Sequence, residues 1–155
     1  ESAGGNLVLA AMLRAKRAGF PLPRAVALLS PWCDLDMSSD SQMFNDGRDP
    51  SLKIQESKTA ARLYAGDHDI TNPDISPISG SYDSAFPPCL ITTGTRDLLL
   101  SLSVRLSRCL RESGVEVDLQ VWEGLWHVFE WHHRIPEAQQ SMRNIAAFLK
   151  GHLTP

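Results

Sequence analysis

Two short runs constrain this chain most: Ala25-Val26-Ala27-Leu28-Leu29 and Cys89-Leu90-Ile91-Thr92-Thr93-Gly94. Both open apolar and show no polar alternation, the pattern of a strand covered on both faces. Strands of that kind belong to parallel sheets, whose crossovers need a dozen or more residues, usually helical. The intervening sequence supplies helices. Leu7, Ala10, Ala11, Leu13 and Arg14 fit a helix over 6–18 that ends at Gly19, ahead of Pro21 and Pro23. Leu99, Leu102, Leu106, Cys109 and Leu110 share one face of a second, stopped by Gly114. Pro136 opens a last helix that buries Ala138, Met142, Ile145 and Leu149 and stops at Gly151. The stretch 115–121 alternates apolar and polar, so it reads as a strand with one face buried. This order predicts an α/β fold, with a three-stranded, mostly parallel sheet flanked by helices in one domain over residues 1–155.

The stretch 34–88 is the least regular. It is rich in Ser, Asp, Asn and Pro, and one helix stands out, with Asp49 as N-cap, Pro50 in the first turn, a run to about Tyr64, and Gly66 as stop. Apolar residues and prolines recur throughout, which marks a long functional connection rather than a linker.

Composition removes several function classes. A net charge of −3 and no basic run argue against nucleic acid or a membrane surface as partner. No apolar stretch reaches the roughly 20 residues of a membrane span. Cys33, Cys89 and Cys109 have no metal-ligand spacing, and no His or carboxylate cluster does either, so no metal or cofactor is expected. Cys89 and Cys109 read as buried thiols. The odd number of cysteines fits a reducing compartment, and a cytoplasmic location is the expectation.

The chemistry is concentrated in three places. Glu1-Ser2-Ala3-Gly4 matches the last four places of the Gly-x-Ser-x-Gly elbow, whose first glycine would precede residue 1. A serine on such a strained turn needs small neighbours, which Ala3, Gly4 and Gly5 supply. Asp97 and His127 each follow a strand, so with Ser2 they fall at the carboxyl end of the sheet, where ligands of such folds bind. Serine is a weak nucleophile without a base. Histidine can take its proton and pass it to a leaving group, and a carboxylate can fix the imidazole tautomer. The Ala3 amide, at the start of the helix, can donate to an oxyanion. Other readings stand beside these. Ser2 fits a plain helix cap, Asp97 a cap for the Leu99 helix, and Asp83 or Asp118 could be the acid. His132 and His133 rival His127 but lie on a polar stretch. Trp126 and Phe129 read as packing for the His127 loop, and Arg96 as a surface residue.

The order Ser…Asp…His is that of α/β-hydrolases. Glu1-Ser2-Ala3-Gly4-Gly5-Asn6, Ser30-Pro31-Trp32-Cys33-Asp34-Leu35, Ile75-Ser76-Pro77-Ile78, Pro87-Pro88-Cys89-Leu90, Gly94-Thr95-Arg96-Asp97 and Trp122-Glu123-Gly124-Leu125-Trp126-His127-Val128-Phe129 follow in family order. The chain thus resembles the C-terminal half of a hormone-sensitive-lipase-like (bacterial family IV) esterase, from the nucleophile elbow onward. The resemblance implies Ser2 as nucleophile, Asp97 as acid, His127 as base, and cofactor-free hydrolysis of short-chain carboxylic esters. The family's His-Gly-Gly-Gly loop and N-terminal cap are not in this sequence. The chain alone is therefore expected to be weakly active or inactive. Strand 25–29 would have an open edge, predicting an oligomer or pairing with another chain. Two alternatives are a non-hydrolytic binding module of the same fold, as in plant gibberellin receptors, and an inert folding fragment.

Overall fold

The computed structural model describes residues 1–153. Three strands, β1 (Val26–Leu29), β2 (Cys89–Gly94) and β3 (Val117–Trp122), form one parallel sheet in the order β1-β2-β3. Leu28 stands opposite Ile91, and Ile91 opposite Leu119. The middle strand is buried along its whole length, as its apolar run predicts. β3 is only partly covered, in keeping with its polar alternation.

Helices cover both faces of β2. Ile91 joins a cluster with Leu9 and Leu13 of α1 (Ser2–Arg17) and with Leu102, Leu106 and Leu110 of α4 (Leu100–Glu112). Its neighbour Thr92 points the other way, towards Glu130 and, through it, Ser141 of α5 (Pro136–Leu153). Leu102, Leu106 and Leu110 are completely buried, each worth about 2–3 kcal/mol of transfer free energy.

Several helix boundaries differ from the sequence expectation. α1 begins at Ser2 rather than residue 6, because the helix starts within the elbow itself. Its buried stripe is Leu9, Met12 and Leu13, whereas Leu7 and Ala11 face outward. The helix is apolar around more than half its circumference, so period alone does not choose between the two stripes. In the last helix Met142 is exposed and Ser141 is buried instead, drawn in by the Glu130 carboxyl. That helix also runs through Gly151 to Leu153.

The 34–88 stretch holds more than one helix. It contains α2 (Asp40–Phe44), α3 (Ile54–Ala65) and a 3₁₀ turn at Pro77–Ser79. α3 starts after Lys53, not at Pro50, and Gly66 ends it at φ +55°. Asp49 is not its cap. Its carboxylate accepts the Ser51 and Leu52 amides locally and the Leu98 amide at 2.8 Å. Cys33 and Cys89 are buried free thiols, while Cys109 is only partly covered.

Candidate active site

The carboxyl ends of the strands carry the site. Ser2 is the first residue of α1 and has φ +48°, a left-handed conformation that costs a non-glycine residue about 1 kcal/mol or more. The loop after β1 grips this turn. The Trp32 amide donates to the Ser2 carbonyl at 3.0 Å, and Asn6 donates from its side chain to the Trp32 and Ile75 carbonyls. A Cβ on Gly5 would press on Pro31 at 3.0 Å, so the small residue lets helix and loop touch.

His127 lies on the loop after β3, and Asp97 on the turn after β2. The structure brings the three side chains into one line. His127 Nε2 is 2.9 Å from Ser2 Oγ, and His127 Nδ1 is 3.1 Å from Asp97 Oδ1. A carboxylate only accepts, so Nδ1 carries the proton and Nε2 is free to accept the serine hydroxyl proton. Asp97 is fully buried and His127 nearly so, while Ser2 is half-open at the mouth. The Ser2 end borders a cleft of about 320 Å³ lined by Ala3, His127, Trp131 and His132 among others.

Asp97 is held from several sides. Oδ1 accepts the Leu99 amide at 2.8 Å, and Oδ2 accepts the Thr93 hydroxyl at 2.8 Å. Burial alone would push the Asp97 carboxyl up. The hydrogen bond and charge of His127, with the Ser30 hydroxyl and the Leu99 amide, outweigh it and hold the carboxyl below its ordinary range. Asn45 braces the turn from outside, donating to the Thr95 carbonyl at 3.2 Å and the Asp97 carbonyl at 2.9 Å.

The His127 loop is tied down as firmly. The Leu125 carbonyl accepts the Arg96 amide at 2.8 Å and lies so close to Gly94 that any Cβ there would overlap it. Phe129 is fully buried against Trp122, with ring centroids 5.7 Å apart, and packs the loop onto the sheet. Glu130, also buried, accepts hydroxyls from Thr92 at 2.7 Å and Ser141 at 2.8 Å. Val128 sits at φ +47°, and its amide donates to the Ser30 hydroxyl at 3.1 Å.

The rival residues lie elsewhere. Asp83 pairs with Lys16 at 2.7 Å on the surface, Asp118 is exposed beside Gln120, and His132 and His133 are exposed. Asp97 bonds the Leu99 amide just ahead of α4 but does not cap that helix, whose N-cap is Leu99 with no side-chain bond, so the cap reading does not hold and the contact with His127 does. Arg96 is exposed. Sequence reasoning missed Ser30, Asn45, Asp49, Thr93 and Glu130. The signals for Ser30 were its place between an apolar run and Pro31 and at the head of the family-like segment Ser30-Pro31-Trp32-Cys33-Asp34-Leu35. Among the described residues no group of three or more His, Cys, Asp or Glu side chains is placed to hold a metal ion. No described helix is long and apolar enough to cross a membrane.

Residues 1–131 match the family model described as "alpha/beta hydrolase fold". An esterase of Acinetobacter venetianus is 33% identical over 151 residues, which are 96% of this chain and 49% of that protein. An acetyl-hydrolase of Streptomyces hygroscopicus is 30% identical, over 97% of this chain and 50% of its own length. Among solved structures, an esterase from the bacterial hormone-sensitive lipase family superposes with a TM-score of 0.94 at 33% identity, over 99% of this chain and 52% of that one. A hormone-sensitive lipase from a metagenome library gives 0.93 at 33% identity, over 98% and 52%. The chain thus spans about half the length of the relatives it matches. With these matches over nearly all of its length, the chain belongs to the α/β-hydrolase family, in its hormone-sensitive-lipase-like group of esterases.

Proposed function

We propose that this chain carries the nucleophile, base and acid of a serine-dependent carboxylesterase acting on short-chain esters. The observation that carries the reading is the continuous hydrogen-bonded line from Asp97 through His127 to Ser2. In the first step Ser2 Oγ attacks the ester carbonyl carbon while its proton passes to His127 Nε2. The oxyanion that forms is met by the Ala3 amide, whose place in the first turn of α1 leaves it without an intrahelical acceptor. Asp97 stabilises the imidazolium across the Nδ1 bond and keeps the ring oriented. Collapse of the adduct breaks the bond to the alcohol, which leaves with the proton from Nε2. Water then attacks the acyl-serine, giving its proton to Nε2, and the freed Ser2 oxygen recovers that proton.

The substrate partner in this reading is a small ester, and no cofactor enters the steps. Losing one oxyanion donor costs such enzymes about 100- to 1,000-fold in turnover, so a chain supplying only the Ala3 donor turns over slowly. Covalent labelling is therefore the sharper test. An alkyl fluorophosphonate is expected to modify Ser2 alone, and Ser2→Ala to remove both the label and hydrolysis of a p-nitrophenyl short-chain ester. Labelling at another serine, or an unchanged rate after Ser2→Ala, overturns the proposal.

Among the described residues β1 pairs only with β2, and its other edge is proposed as a second functional surface. A strand left with one row of free backbone donors and acceptors recruits another strand.

A further inference from the structure

Ser30 stands out among the buried groups that the proposed steps do not use. It is completely buried and has φ +47°, an unusual conformation for a serine. Its amide donates to the Thr92 carbonyl at 2.8 Å, which extends the pairing of β1 with β2 by one residue and fixes where the side chain starts. From there its hydroxyl oxygen accepts the Val128 amide at 3.1 Å. Val128 directly follows His127 and is itself left-handed at φ +47°, a true outlier for a β-branched residue. A strained turn persists only when its surroundings over-determine it. The Val128 amide is buried, and the Ser30 oxygen is the acceptor it has.

The hydroxyl has a second end. With its oxygen accepting from Val128, its single proton remains to be donated, and the Asp97 carboxylate can only accept. The Ser30 hydroxyl is also among the groups that favour the ionised form of that carboxylate. The ionisable groups linked to it are Asp97, on which its hydroxyl acts, and His127, which precedes Val128 and bonds Asp97; Glu130 is one step further, on the hydroxyl of Thr92, whose carbonyl accepts the Ser30 amide.

We infer that Ser30 is a positioning residue, whose hydroxyl locks the left-handed turn at Val128 and so holds the His127 ring between Asp97 and Ser2. As a refinement of the esterase reading it rests on that reading, but the lock itself is a property of the fold. The residue touches no reacting atom.

Two replacements separate hydroxyl from backbone. Ser30→Ala keeps the side-chain volume and the strain but removes the hydroxyl. Ser30→Gly removes the hydroxyl and relieves the strain. In the full chain, both are expected to slow fluorophosphonate labelling of Ser2 by roughly ten-fold, the scale of one buried hydrogen bond lost at a charged site. The acid limb of the labelling rate should move to higher pH, since a carboxylate that loses a donor binds its proton more tightly. In histidine-selective NMR the His127 Nδ1–H resonance should exchange faster while the remaining histidines are unmoved. Wild-type labelling, an unshifted acid limb and an unchanged Nδ1–H signal in both variants overturn the inference. A loss of rate confined to Ser30→Ala also overturns it, because the cause is then the backbone. His127→Ala and Ser2→Ala report separately on the esterase reading. Should they label like the wild type, that reading fails, and the Nδ1–H signal still decides the role of Ser30.

Discussion

Asp49 and Leu98, far apart in sequence, are joined by a 2.8 Å bond from the Leu98 amide to the Asp49 carboxylate. The same carboxylate also gathers the Ser51 and Leu52 amides, so one buried side chain connects the irregular 34–88 stretch to the turn that bears Asp97. Asn45 makes a parallel link through the Thr95 and Asp97 carbonyls. This stretch is thus a brace for the acid of the proposed site. Asp49→Ala leaves the buried Leu98 amide without its carboxylate acceptor, together with the part-buried Ser51 and Leu52 amides, and is expected to cost about 2–3 kcal/mol of stability. Urea melts of the variant check this, and a midpoint equal to wild type would remove the brace.

Gly94 allows a backbone contact that no other residue can. A methyl group there would overlap the Leu125 carbonyl, which is rigid main chain. Gly94→Ala is expected to destabilise by about 2–3 kcal/mol and to displace the loop carrying His127. Thermal melting gives the first effect and slowed phosphonate labelling of Ser2 the second.

The acid limb of stability has a definite sign. The folded Asp97 carboxyl binds its proton more weakly than the ordinary carboxyl of about 3.9. Its contribution to stability is therefore complete above about pH 4 and is lost as pH falls through the lower folded value. Denaturant melts between pH 7 and 2 are expected to show this loss, and Asp97→Asn to flatten it. Parallel profiles for both proteins would count against the assignment.

The thiols should differ in reactivity. Burial pushes Cys89 up to about 12 and Cys33 higher still, with the Asp34 carboxylate adding to the latter. Cys109 is also raised, by burial and then Glu112, but it is the one partly reached by solvent. An aromatic disulfide reagent at pH 8 is expected to modify Cys109 first, and Cys33 and Cys89 only at the rate of unfolding. Three equal fast phases would contradict the buried placement.

The outer edge of β1, unpaired among the described residues, carries the self-association proposed above for this chain. Sedimentation velocity across a wide concentration range is expected to show species larger than a monomer, and Ala27→Lys or Ala27→Pro to reduce them. Monomer throughout the series for the wild type would rule the edge out as a contact surface.

Much of this arrangement could be read from residue order. Cys89–Gly94 was visible as a strand because both its faces are covered and its composition says so. Ser2, Asp97 and His127 are singled out by local signals, elbow chemistry and positions after strands, and the fold brings their side chains into contact. Asp49 was misread for the same reason, since Asp-Pro resembles a helix start whatever the side chain bonds to at long range. Met142 and Ser141 exchanged places because a buried glutamate on another segment selects the hydroxyl. Ser30 and Thr93 were missed because a hydroxyl's partner is set by tertiary contact, which neither period nor propensity encodes.

The pairing of Ser2 with His127 closes a loop of 125 residues in sequence, about four-fifths of the chain. Contacts of such range form late, after the entropy of the intervening segments has been spent. During refolding, helix signals should recover well before Ser2 gains the nucleophilicity proposed for it, and intermediates should then be chemically silent. A phosphonate pulse applied at successive times would then count only molecules that have completed the last stage of assembly.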